Sequence, residues 1–283
     1  MRPANVGHYI LGAEGLALLR HWLNGDREQA RARVDDLTRF LTRPGQPPIS
    51  VELDVPETDV LDGYARWAGT YDDAPNALIN AEQPVMQAML DAIPPARALD
   101  AACGTGRLTT YLAARGHRVI GVDTSDAMLQ RARAKLPQVD FRVGDLAALP
   151  VETGSMDLAV CALALTHCAD LQPPIRELAR VLRPGGRLLL SDLHPALSAL
   201  GMTAFFVGAD GGAGYVRSYY HPISTYLTAF ASAGLDVRRC IEPPIGEEEV
   251  PLMSGGMMHL AGDAFRAAFL GLPEALIWEL VRR

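Results

Sequence analysis

Acidic side chains and a glycine-rich turn lie at intervals that suit the binding of a ribose-containing ligand. The apolar run 97–101 leads into a turn with Gly104 and Gly106, where a ligand can approach the backbone closely and the following helix directs free N–H groups at it. Asp123 ends the next apolar run, 118–123. A carboxylate at the tip of a second parallel strand can accept hydrogen bonds from ribose hydroxyls. The spacing therefore predicts a site for a nucleoside-bearing cofactor.

The elements that must position these groups alternate between apolar strands and amphipathic helices. Strands are predicted near residues 97–101, 118–123, 140–143, 156–161 and 186–193. Helices are predicted near residues 78–92, 106–115, 125–135 and 172–182. This alternation predicts an α/β, doubly wound, mostly parallel sheet with helices on both faces. Thr124 or Ser125 is expected to cap the third of these helices.

The pattern becomes less regular after residue 193. Five glycines within 201–214 predict a hairpin or a lid, 224–233 is expected to be helical, and 235–241 is expected to be a sixth strand. Residues 275–281 fit either a seventh strand or a helix. Methionines and aromatic residues in this C-terminal third suit a bulky apolar ligand, and they suit an ordinary core or oligomer contact nearly as well.

The N-terminal part of the chain predicts two helices within residues 7–43, separated by a break at 24–26 where Asp26 caps the second helix. Their apolar residues recur at helical spacing and define one face on each helix. These faces consist of Leu16, Leu19 and Leu23 on the first helix, and Ala30, Val34, Leu37 and Leu41 on the second.

These observations predict a domain organisation. Residues 1–48 are expected to form a helical extension that packs on the main domain or on a partner subunit. Residues 49–283 are expected to form the main domain, with lid or substrate inserts around 195–223 and 243–272. The N-terminal helices are accordingly a candidate homodimer surface.

Composition narrows the class of protein. A formal charge of −7 disfavours a sequence-independent grip on nucleic-acid phosphates, which needs basic patches. The four cysteines form no CxxC pair, so neither metal binding nor a disulfide scaffold is expected. There is no apolar run long enough to span a bilayer and no signal-peptide layout, which favours a cytoplasmic protein.

Five motifs in order give the chain a clear resemblance. It resembles a class I S-adenosylmethionine-dependent methyltransferase, of the "type 11" or menaquinone/ubiquinone-methyltransferase-like group, over roughly residues 62–241. The motifs are LDAACGTG at 99–106, VD at 122–123, GDL at 144–146, SMDLAV at 155–160 and LRPGG at 182–186. The family carries an antiparallel seventh strand, so the resemblance implies a seven-stranded Rossmann-like sheet.

The resemblance also implies S-adenosylmethionine as cofactor and S-adenosylhomocysteine as its product. It implies that Asp123 binds the ribose hydroxyls, that Asp145 and Leu146 bind the adenine, and that Asp100 holds the turn or reaches the cofactor's amino group. Ala102 replaces the family's first glycine, a change that the turn is expected to tolerate. The other positions implied to border the cofactor are Tyr64, Tyr71, Ala102, Cys103, Gly104, Gly106, Thr124, Met128, Cys161 and Ala162.

The implied reaction is an in-line displacement at the methyl carbon, for which the protein mainly aligns atoms and excludes water. A base helps when the acceptor is a phenol, hydroxyl, amine or acidic carbon. His167 and His194 follow the fourth and fifth strands at the ligand-binding edge of the sheet, and His221 lies beside two tyrosines. The expected acceptor is a small hydrophobic or aromatic metabolite of the secondary-metabolite or quinone type, methylated on O, N or C.

Three alternatives stay open. A nucleic-acid or protein methyltransferase is disfavoured, because the Asp/Asn-Pro-Pro-Tyr/Phe box of base-amino methyltransferases is replaced by VCAL at 160–163. A dinucleotide-dependent dehydrogenase is disfavoured because Thr109 occupies the third glycine position of the fingerprint. A cofactor-binding scaffold or cyclase-like protein that does not methylate has the same cofactor motifs.

Overall fold

The computed structural model describes residues 4–23, 25–73 and 75–283. The helices are α1 (Val6–His21), α2 (Arg27–Leu41), α3 (Val60–Trp67), α4 (Ala77–Asp91), α5 (Arg107–Ala114), α6 (Asp126–Lys135), α7 (Gln172–Val181), α8 (Pro195–Ala199), α9 (Ile223–Ser232), α10 (Glu249–Met253) and α11 (Met258–Phe269). The strands are β1 (Ala4–Asn5), β2 (Glu52–Leu53), β3 (Glu57–Thr58), β4 (Arg97–Ala101), β5 (Arg118–Asp123), β6 (Asp140–Val143), β7 (Met156–Ala162), β8 (Leu182–Leu193), β9 (Ala204–Val207), β10 (Ala213–Val216), β11 (Leu235–Ile241) and β12 (Ala275–Arg282).

The chain divides into two compact units, each formed by segments that are separate in sequence. The helical unit comprises Met1–Pro56, Pro75–Ala81 and Pro244–Leu272. The sheet unit comprises Glu57–Ala74, Glu82–Pro243 and Pro273–Arg283. In the part of the chain that the structure describes, every helix is too short or too polar to cross a bilayer.

The sheet unit is built on seven strands in the order β11-β12-β8-β7-β4-β5-β6. β4 pairs in parallel with both β5 and β7, so the strand order reverses at β4. β12 runs antiparallel to both of its neighbours. The predicted α/β, doubly wound, mostly parallel sheet is therefore confirmed. In open α/β sheets, ligands bind at the carboxyl ends of the strands where the order reverses.

The central strands are apolar on both faces, as expected for a parallel sheet that helices cover on each side. Ala98, Leu99 and Ala101 of β4 are completely buried. β12 is buried from Ala275 to Leu280, which explains why its sequence has no polar face to mark it as a strand. β8 begins four residues earlier than the predicted strand at 186, because Leu182 already pairs with Met156 of β7.

A second, three-stranded sheet in the same unit has the order β3-β10-β9. β9 and β10 form an antiparallel hairpin, which confirms the hairpin predicted within 201–214, and β3 joins β10 in parallel. The Thr58 hydroxyl donates to the Tyr215 carbonyl at 3.1 Å. The hairpin is thereby attached to the segment that leads directly into α3.

The helical unit confirms both N-terminal helices but corrects the predicted faces. α1 packs against α11 through Ile10, Ala13 and Ala17, each at most 2% exposed. Small residues four positions apart allow two helices to approach closely, so these alanines form the contact. The predicted apolar positions Leu19, Leu23, Val34 and Leu41 are 51–72% exposed. Asp26 caps α2 as predicted, and Asn24 of the predicted break lies outside the described residues.

Candidate active site

The turn between β4 and α5 leaves its backbone open at one point. Gly104 and Gly106 have φ values of +55° and +85°, and Ala102 has a φ of +56°. A Cβ on Gly106 would lie 3.3 Å from the Cβ of Ala132, whereas a Cβ on Gly104 would meet no protein atom within 4 Å. A glycine is therefore needed at position 106 for helix packing, while the space above Gly104 is available to a ligand.

Asp123 connects the tip of β5 to this turn. Its Oδ2 accepts a hydrogen bond from the Gly104 N–H at 2.8 Å, and its Oδ1 accepts one from the Ser125 N–H at 2.8 Å. Burial raises the pKa of this carboxyl group, and these backbone donors oppose the rise. A carboxylate offers about four acceptor positions, so both oxygens keep capacity for further hydroxyl donors.

Asp100 lies at the end of β4 and is 2% exposed. Its Oδ2 accepts a hydrogen bond of 2.6 Å from the Thr109 hydroxyl, so it joins β4 to the first turns of α5. Burial raises the pKa of Asp100 to about 6. Asp100 was predicted to hold the turn or to reach the cofactor's amino group; its carboxylate holds α5 through Thr109, whereas the Gly104 N–H of the turn donates to Asp123.

Apart from Tyr64 and Tyr71, the remaining predicted cofactor positions fall into three groups. Asp145 and Thr124 are exposed at the tips of β6 and β5, and the Asp145 Oδ1 accepts a hydrogen bond from the Ala147 N–H at 2.7 Å. The partly exposed positions are Ala102, Gly104, Leu146 and Ala162. Buried positions are Cys103, Gly106, Met128 and Cys161.

Four aromatic residues pack together near the carboxyl edge, and we call Tyr64, Trp67, Tyr71 and Phe206 the aromatic cluster. The ring centroids of Tyr64 and Trp67 are 5.7 Å apart, and those of Trp67 and Tyr71 are 4.9 Å apart. Phe206 of the hairpin stacks on Trp67 at 5.8 Å. The two tyrosines implied to border the cofactor therefore belong to one cluster with Trp67.

Asp72 is a site residue to which the sequence analysis gave no role. Its Oδ1 accepts a hydrogen bond of 2.7 Å from the Thr105 hydroxyl in the glycine turn. Its Oδ2 accepts one of 2.8 Å from the Lys135 ammonium group at the end of α6. These bonds fasten the segment that carries Tyr71 to the turn. The only signal in the sequence is the adjacency of Asp72 to Tyr71.

The three candidate histidines have different environments. The His167 Nε2 lies 3.0 Å from the Tyr64 hydroxyl, and its Nδ1 lies 2.8 Å from the Arg217 carbonyl. The His194 Nδ1 accepts from the Ala196 N–H at 3.1 Å, which caps α8. Its Nε2 lies 2.8 Å from the Glu242 carboxylate.

His221 is buried, and its Nε2 donates to the Cys168 carbonyl at 2.7 Å. Of the three histidines, His167 is the one whose ring contacts the aromatic cluster, at 5.6 Å from the Tyr64 ring. The structure thus brings His167 together with Tyr64 and Tyr71, and it gives His194 a helix-capping role.

Two buried carboxylates at the edge of β8 were also missed. The Glu82 Oε1 accepts from the Ser191 hydroxyl at 2.8 Å, and its Oε2 pairs with the Arg107 guanidinium at 2.9 Å. The Asp192 Oδ2 accepts from the Tyr226 hydroxyl at 2.7 Å. Their partners are distant in sequence, so no local pattern could have revealed these bonds.

Comparison with known proteins agrees with this geometry. A family model described as a methyltransferase domain matches residues 99–190. A malonyl-[acyl-carrier protein] O-methyltransferase from Serratia marcescens is 35% identical over 134 residues, which cover 47% of this chain and 52% of that protein. A ubiquinone biosynthesis O-methyltransferase from Xanthomonas oryzae pv. oryzae is 36% identical over 161 residues, covering 53% of this chain and 66% of that protein.

Solved structures give the same result. The crystal structure of an S-adenosylmethionine-dependent methyltransferase from Mesorhizobium loti matches with a TM-score of 0.55 and 25% identity, covering 71% of this chain and 98% of that chain. The chain spans between 33% and 66% of the length of the curated relatives it matches. Residues 99–190 carry a methyltransferase domain, and the predicted class I S-adenosylmethionine-dependent methyltransferase family and cofactor class are confirmed.

Proposed function

We propose that this protein transfers a methyl group from S-adenosylmethionine to a small hydrophobic or aromatic acceptor whose attacking atom carries a proton. The observation that carries the proposal is the environment of His167. This histidine contacts the aromatic cluster through Tyr64, and burial lowers its pKa, so the ring is neutral and able to accept a proton near pH 7. Such a base is useful only if the acceptor has a proton to lose.

Several features support the fit of the cofactor. The open space above Gly104 allows close approach to the backbone, and Asp123 retains acceptor capacity at the tip of the neighbouring strand. In this proposal Asp123 binds the ribose hydroxyls, and Asp145 with the Leu146 N–H binds the adenine. Asp100 acts indirectly, by holding α5 to β4.

When bound, the cofactor supplies a methyl group activated by a positively charged sulfur. Aromatic faces attract such a cation, and desolvated cation–π contacts contribute about 2 kcal/mol. Tyr64 and Tyr71 both belong to the aromatic cluster, and their ring centroids lie 6.2 Å apart. We therefore assign these two residues to the methyl end of the cofactor. The bond between Asp72 and Thr105 keeps this end fastened to the glycine turn.

The acceptor class follows from the base. The relative from Serratia marcescens is named for malonyl-[acyl-carrier protein], and a malonyl carboxylate is already ionised at neutral pH. Such an acceptor would have no use for His167. The relative from Xanthomonas oryzae is named for O-methyl transfer in ubiquinone biosynthesis. An oriented neutral histidine supports a phenol, hydroxyl, amine or acidic carbon over a carboxylate.

The test is methyl transfer from labelled S-adenosylmethionine to a panel of phenols, quinols, amines and a malonyl group on a carrier protein. We expect transfer to the phenolic or quinol members, and a loss of about 10²- to 10⁴-fold in kcat for His167→Asn. His259→Asn, which changes an exposed histidine, is the matched control. Transfer to the malonyl group alone would overturn the acceptor class. Cofactor binding without transfer to any member would instead favour the non-methylating scaffold.

The proposal also keeps the finer organisation predicted from the sequence. It includes a cytoplasmic location, an N-terminal extension over 1–48, and a second copy of the chain as the partner of the N-terminal helices. The exposed side chains of Leu19, Trp22 and Leu23 support that partner, because they are 67%, 74% and 72% exposed. Light scattering on the full chain tests the dimer, and a monomer at every concentration would contradict it.

A further inference from the structure

Tyr64, His167 and the Arg217 carbonyl form a chain of hydrogen bonds with a defined direction. A carbonyl oxygen can only accept, so the His167 Nδ1, 2.8 Å from it, must carry the ring proton. Burial lowers the pKa of His167, so the ring is neutral and Nε2 has a free lone pair. The Tyr64 hydroxyl, 3.0 Å from Nε2, must therefore be the donor in that bond.

We infer that Tyr64 is a proton relay between the methyl acceptor and His167, an inference that rests on the proposed methyl transfer. In the step, a lone pair on the acceptor atom forms the bond to the methyl carbon while the carbon–sulfur bond breaks and its electron pair goes to sulfur. The acceptor's proton moves to the Tyr64 oxygen, and the Tyr64 proton moves to the His167 Nε2. The positive charge that leaves the sulfur thus reappears on the imidazole.

Two observations favour the relay over direct action of His167. The Tyr64 hydroxyl already occupies Nε2, and donating that bond leaves the lone pairs of the Tyr64 oxygen unused, so a proton can reach the imidazole by way of that oxygen. Burial also raises the pKa of Tyr64 well above its usual range, so the phenol stays protonated and is not itself the final base. A neutral phenol that donates to a neutral imidazole can accept one proton only as it gives up another.

The second sheet holds the histidine in this orientation. Glu57 of β3 pairs with the Arg217 guanidinium at 2.6 Å and accepts from the Tyr215 hydroxyl at 2.9 Å. The Tyr219 N–H donates to the Thr166 carbonyl at 2.7 Å. The segment that provides the Arg217 carbonyl is therefore fixed on both sides of that residue. An imidazole oriented by a third group is the general arrangement of an activated base.

The ring tautomer is the first measurement, because it requires neither a variant nor a cofactor. Nitrogen NMR of the full chain labelled at histidine should show His167 as neutral and protonated at Nδ1. Protonation at Nε2 would overturn the relay.

A variant extends this measurement. In Tyr64→Phe the imidazole of His167 loses a hydrogen-bond donor that favours its neutral form, so the titration midpoint of His167 should rise by about one pH unit.

Kinetics on the identified acceptor provide the second measurement. Tyr64→Phe keeps the ring, so we expect cofactor affinity within about threefold of the native value and a kcat lower by about 10²-fold or more. Tyr64→Phe, His167→Asn and the double variant should lose about the same factor, because the two residues act as one unit. Tyr111→Phe is the control, since it removes a hydroxyl that bonds to Asp91 on the surface.

The outcomes separate the relay from the proposed function. If the native protein methylates its acceptor and Tyr64→Phe retains a kcat within about threefold, the relay is wrong and the proposed function stands. A loss of cofactor affinity with unchanged kcat would likewise overturn the relay and favour a purely cofactor-binding tyrosine. If the native protein transfers no methyl group, the proposed function fails before any variant is compared, and the relay fails with it.

Discussion

The sheet unit and the helical unit each bury a carboxylate, but they surround it differently. Asp192, which is 0% exposed, accepts hydrogen bonds from the Tyr226 hydroxyl at 2.7 Å and the Leu193 N–H at 3.0 Å. Glu14 is equally buried, and the Nε of Arg33 lies 3.5 Å from its Oε2. Burial raises the pKa of both groups to about 7. Asp192 thus has uncharged donors, whereas Glu14 is paired with a charged guanidinium.

The two units also differ in their apolar surfaces. The central strands of the sheet unit are buried on both faces, and a hydrophobic core cluster of buried residues lies entirely within this unit. Both units expose some large apolar side chains, such as Leu19 and Val34 on α1 and α2 and Phe205 and Leu227 in the sheet unit, but those of the sheet unit lie outside its central strands. The core of the sheet unit is thus concentrated in and around the strands that carry the candidate site.

The largest expected effect concerns Asp192. Its folded pKa of about 7 lies above the usual value of 3.8, so the folded state holds a proton that the unfolded state releases. Stability should therefore fall as pH rises from about 4 to about 7, by up to about 4 kcal/mol from this group. Asp192→Asn should remove that part of the decline in urea unfolding measured at pH 5 and pH 8.

Tyr226→Phe provides the complementary test, because the tyrosine hydroxyl lowers the pKa of Asp192. Removal of this hydroxyl should raise the pKa of Asp192 further, so the free energy of unfolding should fall more steeply as pH rises. Glu14 has a similarly raised pKa, of about 7. Glu14→Gln should therefore also reduce the fall in the free energy of unfolding between about pH 4 and pH 7. Parallel stability curves for the native protein and Asp192→Asn would contradict the assignment.

The second effect is on cofactor affinity at the edge of the sheet unit. Asp123→Ala removes two bonds to backbone N–H groups and the proposed ribose contact, so we expect affinity to fall by about tenfold or more. Titration calorimetry with S-adenosylhomocysteine measures it. Asp126→Ala, an exposed acid three residues away, is the control. Unchanged affinity in Asp123→Ala would refute the ribose role.

The third effect tests which face of α1 is packed. Ala13→Leu adds volume where α1 meets α11, and overpacking of this kind costs about 1–3 kcal/mol. At a protein concentration where light scattering shows a monomer, Leu19→Ser changes an exposed position and should alter the free energy of unfolding by less than about 0.5 kcal/mol. Urea denaturation of both variants at one fixed protein concentration makes the comparison. A larger loss of stability in Leu19→Ser than in Ala13→Leu would instead support the packed face of α1 that the sequence predicted.

The smallest expected effect concerns strain in the glycine turn. Ala102 has a φ of +56°, in the left-handed region that costs a residue with a Cβ about 1–2 kcal/mol. Ala102→Gly should therefore relieve about 1 kcal/mol of this strain. The gain in the free energy of unfolding should be smaller than that, because glycine loses more conformational entropy on folding. Thermal unfolding measures it, and a lower melting temperature would contradict the strain.

A matched pair of variants then separates strain from ligand contact. Gly104→Ala and Gly154→Ala both place a Cβ at positive φ in open space, so both should lose similar stability. Only Gly104→Ala should also weaken binding of S-adenosylhomocysteine, because its Cβ would enter the proposed cofactor space. Equal affinities in the two variants would contradict that placement.

The sheet unit was largely predictable because its signals are local. β4, β5 and β6 begin and end where the apolar runs do, and Ser125 caps α6 as one of the two predicted residues. The assignment of 275–281 to strand or helix stayed open, because a strand buried on both faces has no alternation of polar and apolar residues. The pairing of β12 with β8 resolves it.

The amino-acid order alone was sufficient for the family, the cofactor class, and the turn and acidic tips at the sheet edge, because each depends on a few adjacent residues in regular backbone. Tertiary structure alone assigned the packed face of α1, the bond between Asp72 and Thr105, and the pairing of Tyr64 with His167. Those contacts join residues 33 and 103 positions apart. No local pattern encodes them, since they form only when distant segments fold against one another.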